Sequence, residues 1–136
     1  MTTKTQVTVR YAETDAQGVV HHANYLVWFE EGRSDFVRQN GFNYSDFEKA
    51  GYFLVVAEAE IKYKAPSFYE ENLCVETTLT QIRSKVMVFT YRVIDEKGIV
   101  RVEGKTVHVV VGPDKRPTAL PDYLLVQLKS IRTNIK

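Results

Sequence analysis

Tyr25-Leu26-Val27-Trp28-Phe29-Glu30-Glu31-Gly32-Arg33-Ser34-Asp35-Phe36-Val37 decides how the rest of the chain must be arranged. Tyr25, Trp28, Phe29, Gly32 and Phe36 recur at spacings of three and four, while Glu30, Glu31, Arg33, Asp35 and Arg38 fall elsewhere. That period predicts an amphipathic helix of about four turns. Asn40-Gly41 supplies the stop, because glycine takes the left-handed conformation that ends helices. Gly32 weakens the helix from its apolar face, which points to close approach of another backbone there.

Outward from this helix the period changes to two. Val7, Val9 and Tyr11 alternate with polar residues and predict a first strand over 5–11. Ser45-Asp46-Phe47-Glu48 has capping-box spacing and predicts one short helix before Gly51. Ala57, Ala59, Ile61 and Tyr63 alternate with Glu58, Glu60, Lys62 and Lys64, and Leu73, Val75, Thr77 and Leu79 resume the pattern after a turn at Ala65-Pro66-Ser67. Residues 86–94 are apolar on both faces, and Asp95-Glu96-Lys97-Gly98 turns the chain into a strand over 99–111. Pro121 before Leu124, Leu125 and Leu128 opens a C-terminal helix. One long helix followed by four strands gives an α+β layout, with an antiparallel meander as the economical topology and the sheet covering the helix.

The 136 residues, 44% hydrophobic and 26% charged, suit one domain over 1–136. Lys and Arg number 18 against 17 Asp and Glu, so charge gives no argument for a nucleic-acid partner. The single Cys74 has no disulfide partner in the chain, which fits a reducing compartment. No signal-peptide pattern and no membrane span is legible, and a soluble, cytoplasmic protein is expected.

Chemistry concentrates in Glu13-Thr14-Asp15-Ala16-Gln17-Gly18-Val19-Val20-His21-His22-Ala23-Asn24-Tyr25. This segment holds a carboxylate, a flexible glycine and two of the three histidines, and it ends at a helix N-terminus, where unpaired N–H groups favour negative charge. Such a point stabilises an oxyanion. The same residues also suit a plain Asx turn with loop histidines. Glu13, Asp15, His21 and His22 lack the spacing of a zinc motif, so no metal is expected. Cys74 inside a strand reads as a small buried filler, and His108 as a core or interface residue.

Asp15 through Tyr25 resembles the signature of hotdog-fold acyl-CoA thioesterases of the hydroxybenzoyl-CoA thioesterase type. The likeness extends to the helix rich in Trp and Phe, to Tyr63-Lys64-Ala65-Pro66 with Tyr69, and to the Arg83-Ser84-Lys85 turn. It implies a sheet wrapped around one central helix, a homodimer or homotetramer with interfacial active sites, an acyl-CoA substrate and no cofactor. By the same resemblance Asp15 is the catalytic carboxylate, and the His22 N–H polarises the thioester carbonyl. Gln17, Gly18, His21 and Tyr25 then contact substrate, Arg83, Ser84 and Lys85 meet the phosphates of coenzyme A, and part of the aromatic stripe lines an acyl channel. His21 departs from the aromatic residue often found there, and Glu70-Glu71 replaces a small Gly-Asp turn.

The chemistry is coherent, because a thioester leaves as a thiolate whose thiol has a pKa of roughly 8.5, so one carboxylate with an oxyanion donor suffices. Asp15 acts either as general base or as nucleophile through a mixed anhydride. Two other functions fit the same residues. One is a hotdog dehydratase or hydratase with His22 as base, and the other is a non-catalytic acyl-CoA-binding protein.

Overall fold

A computed structural model of the chain describes residues 2–41 and 44–133. The helix comes out as α1 (Asn24–Gln39), with Tyr25, Trp28, Phe29, Gly32 and Phe36 buried, and Gly41 ends it at φ 74°. Around it lie β1 (Thr2–Thr8), α2 (Tyr44–Lys49), β2 (Phe53–Tyr63), β3 (Asn72–Ile82), β4 (Val86–Ile94), β5 (Val100–Val111) and α3 (Asp122–Thr133). The five strands form one antiparallel sheet in the order β1-β3-β4-β5-β2.

The meander is therefore confined to β3, β4 and β5. β2 crosses to the far edge and pairs with β5, while β1 closes the other edge against β3. The strand with the cleanest alternation in sequence is thus an edge strand, with residues from Phe53 to Tyr63 exposed except Leu54 and Ile61. A bulge between Val56 and Glu58 interrupts its register. β1 also begins earlier than its pattern suggests: Thr3, Thr5 and Val7 point inward, and Tyr11 is 76% exposed in a 3-10 turn over Tyr11–Glu13.

α1 packs over β1 and β3. Gly32 is a point of close approach, because a Cβ there would collide with Oγ1 of Thr77 on β3. The close neighbour is thus a side chain rather than the expected backbone. Phe29 stacks on Tyr91 of β4 at 4.2 Å, and Phe36 meets Phe89 edge-on at 5.8 Å. Leu124 and Leu128 of α3 join the same core.

On the outward side of the sheet, Val86 and Val55 both lie opposite Val109, Val88 lies opposite Val107, and Phe53 lies opposite Val111. This apolar run is the second face of β4 anticipated from sequence. Among the described residues no helix is long and apolar enough to cross a membrane.

Candidate functional site

Residues 13–21 fold as a tight hairpin at the start of α1. His21 donates its N–H to the Glu13 carbonyl at 2.8 Å, Thr14 bridges Val20, and the Asp15 N–H reaches the Val19 carbonyl at 2.8 Å. The tip closes when Gly18, at φ 82°, donates to the Asp15 carbonyl at 3.0 Å. This is the type I turn plus left-handed residue of a three-residue hairpin loop. Asp15 Oδ1 completes it as an Asx turn, accepting the Gln17 N–H at 2.8 Å.

The same Asp-x-x-Gly turn recurs between β4 and β5, and the comparison separates what the turn requires from what it does not. There Asp95 Oδ1 accepts the N–H groups of Lys97 and Ile99, and Oδ2 is held by Arg101 at 3.1 Å. Those bonds, led by Ile99, keep the Asp95 carboxyl below its usual range. At Asp15 the turn uses only Oδ1. No described donor takes Oδ2, and the side chain is half-buried.

Beneath the hairpin lies Glu13, 4% exposed. Its Oε1 accepts the Arg10 N–H at 2.8 Å and its Oε2 accepts the Trp28 indole N–H at 2.8 Å. Burial pushes this carboxyl upward, but the Arg10 and Trp28 hydrogen bonds outweigh it and hold the pKa below its ordinary value. Its carbonyl also accepts the Asn24 side-chain amide at 2.9 Å. Hairpin and helix are therefore fixed to each other at two points, through Trp28 and Asn24.

The helix start itself is capped by an imidazole. Nδ1 of His21 accepts the Ala23 N–H at 3.1 Å, and the Asn24 N–H goes to the His21 carbonyl at 2.9 Å. The His22 N–H has no acceptor among the described residues, while its carbonyl takes the Tyr63 hydroxyl at 3.0 Å. Both rings are exposed and stack at 4.2 Å. With Asp15 opposite Val19, the diagonal neighbour His21 is about 7–8 Å away. Asp15 on the hairpin thus keeps a carboxylate oxygen unengaged, and the helix start that follows the hairpin keeps the His22 N–H unengaged among the described residues.

Gln17 and Gly18 are exposed at the tip of this hairpin. Tyr25 is not presented to a ligand in the chain. It is 2% exposed and packs edge-on against Trp28 at 5.1 Å, and burial raises its hydroxyl pKa. Arg83, Ser84 and Lys85 do form a turn, but at the other end of β3. Asp15 adjoins the Asn72 end, so about 33 Å of strand separates them. Among the described residues no group of three His, Cys, Asp or Glu could hold a metal ion. Glu13 is committed to Arg10 and Trp28.

Sequence reasoning missed the His21 cap and the bracing role of Glu13. It also missed Arg101, which grips Glu71 through two bonds of 2.9 and 2.8 Å and so locks the loop against which Val20 pairs. In that loop Glu70 occupies φ 70°, the left-handed position for which glycine is suited.

A family model described as the thioesterase-like superfamily matches residues 9–128. The acyl-CoA thioester hydrolase YbgC of Escherichia coli O6:H1 is 32% identical over 124 residues, covering 90% of this chain and 92% of its own. Among solved structures, a DHNA-CoA thioesterase from Staphylococcus aureus superposes with a TM-score of 0.89 at 32% identity, over 98% of this chain and 90% of that one. A hypothetical protein, TT1821 from Thermus thermophilus, gives 0.87 at 36% identity, over 94% and 98%. The hairpin, the helix and the five-stranded sheet are therefore those of a known lineage, and the chain belongs to the thioesterase-like superfamily as a hotdog-fold thioester hydrolase.

Proposed function

We propose that this protein hydrolyses acyl-CoA thioesters to the free acid and coenzyme A, with Asp15 and the start of α1 as the reacting site. The observations that carry the reading are an unengaged Asp15 Oδ2 on the hairpin and an unengaged His22 N–H at the helix start that directly follows it. A thioester carbonyl seated on the His22 N–H would gain stabilisation as its oxygen becomes an oxyanion, helped by the helix dipole. Asp15 then either takes a proton from the attacking water or attacks the carbonyl itself. In both routes the thiolate departs and water supplies the oxygen of the new carboxylate. His22 acts through its backbone, because no hydrogen bond links its ring to Asp15 among the described residues.

The protein works as a homo-oligomer in a reducing cytoplasm. Two features support assembly: the open edge of β2, and the apolar outward run of Phe53, Val55, Val86, Val88, Val107 and Val109. The distance between Asp15 and the Arg83-Ser84-Lys85 turn points the same way, since a coenzyme A bound at one Asp15 would meet that turn only from another subunit.

The test is release of free thiol from a panel of short, long and aromatic acyl-CoAs. Steady release with stoichiometric free acid is expected. Binding without release would indicate a carrier, and a 3-hydroxyacyl or enoyl product would indicate a dehydratase.

A further inference from the structure

The mostly buried side chain of Arg101, on β5, reaches the loop that joins β2 to β3. Its Nη1 donates to the Pro66 carbonyl at 2.8 Å, to Ser67 Oγ at 3.2 Å and to Glu71 Oε1 at 2.9 Å, and its Nη2 donates to Glu71 Oε2 at 2.8 Å. Asp95 Oδ2 takes Nε at 3.3 Å and Nη2 at 3.1 Å, which fixes the plane of the guanidinium. The backbone is used as well, because the Arg101 carbonyl accepts the N–H groups of Lys64 and Ala65 at 2.9 and 3.1 Å. One residue thus holds the start, the middle and the end of segment 64–71. Its hydrogen bonds keep the Glu71 carboxyl below the usual range, against the opposing effect of burial.

Both the hairpin of Asp15 and the start of α1 are tied to this stretch of chain. On the hairpin side, the Ser67 carbonyl accepts the Val20 N–H at 2.9 Å, and Phe68 pairs with Val19, whose carbonyl holds the Asp15 N–H. The Phe68 N–H is itself fixed by Glu71 Oε1 at 2.7 Å. On the helix side, Tyr63 at the end of β2 donates its hydroxyl to the His22 carbonyl at 3.0 Å, one residue before the Lys64 N–H that Arg101 holds. A hydrogen-bonded path therefore runs from the guanidinium to Asp15 in one direction, and from the Arg101 backbone to the His22 peptide in the other. Position matters steeply here, because displacing a reacting group by about 1 Å can cost 10²-fold in rate. Arginine suits the task, since its planar fork serves several acceptors at fixed angles, whereas a lysine ammonium of equal charge does not.

We propose that Arg101 is a positioning residue for thioester hydrolysis, acting through segment 63–71 to set where Asp15 stands relative to the His22 N–H. This rests on the thioesterase reading and adds to it a residue outside the reacting hairpin that governs turnover. Glu71 and Asp95 belong to the same device: Asp95 orients the guanidinium, and Glu71 carries its hold to Phe68.

The experiment uses two mild variants. Glu71→Gln keeps a carbonyl oxygen for the Phe68 N–H but ends the two-pronged grip, and Arg101→Lys keeps the charge without the fork. Arg92→Met is the control, since it breaks the 3.0 Å pair with Glu76, which joins β3 to β4 and lies outside segment 63–71. With each protein assayed well below its own Tm, kcat on the best acyl-CoA is expected to fall about tenfold or more in both variants, with KM within about twofold of wild type. In Arg92→Met kcat is expected to stay at the wild-type value. A salt bridge that only stabilises the fold would lower Tm and leave kcat alone. NMR of the free proteins gives a readout independent of activity. The amide resonances of Gln17, which donates to Asp15 Oδ1, and of Val20 are expected to shift in both variants and to hold still in the control. Wild-type kcat in either folded variant, a loss confined to KM, or Gln17 and Val20 resonances that do not move would overturn the proposal. A wild type that releases no thiol while these resonances still shift in Glu71→Gln would overturn the hydrolase reading and uphold the link from Arg101 to the hairpin.

Discussion

Trp28 Nε1 donates a 2.8 Å hydrogen bond to Oε2 of Glu13, joining the second turn of α1 to the 3-10 turn that leads into the hairpin of Asp15. Both partners are nearly inaccessible, at 2% and 4%. Because Glu13 also accepts the Arg10 N–H, one buried carboxylate sets the angle at which the chain enters the site. Its removal leaves donors unsatisfied in the core, which costs about 1–3 kcal/mol.

The titration of Glu13 gives this bracing a signature. Its pKa in the folded chain lies below its ordinary 4.5, so its stabilising contribution is complete above that value and is lost as pH falls through the lowered one. Glu13→Gln removes the titration. The wild type is expected to exceed the variant in Tm by several degrees at pH 7, with the gap narrowing below about pH 4. A gap unchanged between pH 7 and pH 3 would show that the Glu13 charge contributes nothing.

Gly32→Ala tests the contact between α1 and β3. On an exposed helix this change gains up to about 1 kcal/mol. Here the new methyl meets Thr77 Oγ1 and comes within 3.2 Å of Val75 Cγ1, and overpacking of this kind costs about 1–3 kcal/mol. A lower Tm is expected. Thr77→Ala removes the obstructing hydroxyl, which is itself buried without a partner, so the double variant should recover much of the loss. Strictly additive effects in thermal melts would contradict the contact.

Assembly is tested by light scattering. A mass well above the 15.6 kDa of one chain is expected at micromolar concentration. Val55→Asp places a charge on the outward apolar run and should shift the mass towards the monomer while lowering thiol release. A wild type that scatters as a monomer and remains active would refute an interfacial site.

The sequence disclosed the elements whose residues speak for themselves. The aromatic period over 25–37, the Gly41 stop and the Gly98 hairpin depend on local chemistry, and all three appear where the pattern puts them. Neighbour relations were not legible. Alternation in β2 says strand, but nothing local says that its partner is β5 rather than β3. At the site the limit has the same origin. Asp15 and Asp95 stand in the same Asp-x-x-Gly turn, and Arg101, brought in by the fold, takes at Asp95 the second carboxylate oxygen that stays unengaged at Asp15. The Arg83-Ser84-Lys85 turn was recognisable as a motif, whereas its distance from Asp15 follows from strand length and direction. His21 drew notice as an imidazole and serves in the chain as a helix cap.

The central claim is that a carboxylate side chain and a backbone donor divide the chemistry between them, and kcat/KM of Asp15→Asn and His22→Ala on the best acyl-CoA tests it most directly. Asp15→Asn keeps an Oδ1 acceptor for the Gln17 N–H, so the turn survives while the base or nucleophile is gone, and a loss of about 10²–10⁴ is expected. His22→Ala keeps the N–H and should retain far more of the activity. Equal losses in two well-folded variants, or wild-type turnover in Asp15→Asn, would contradict the account.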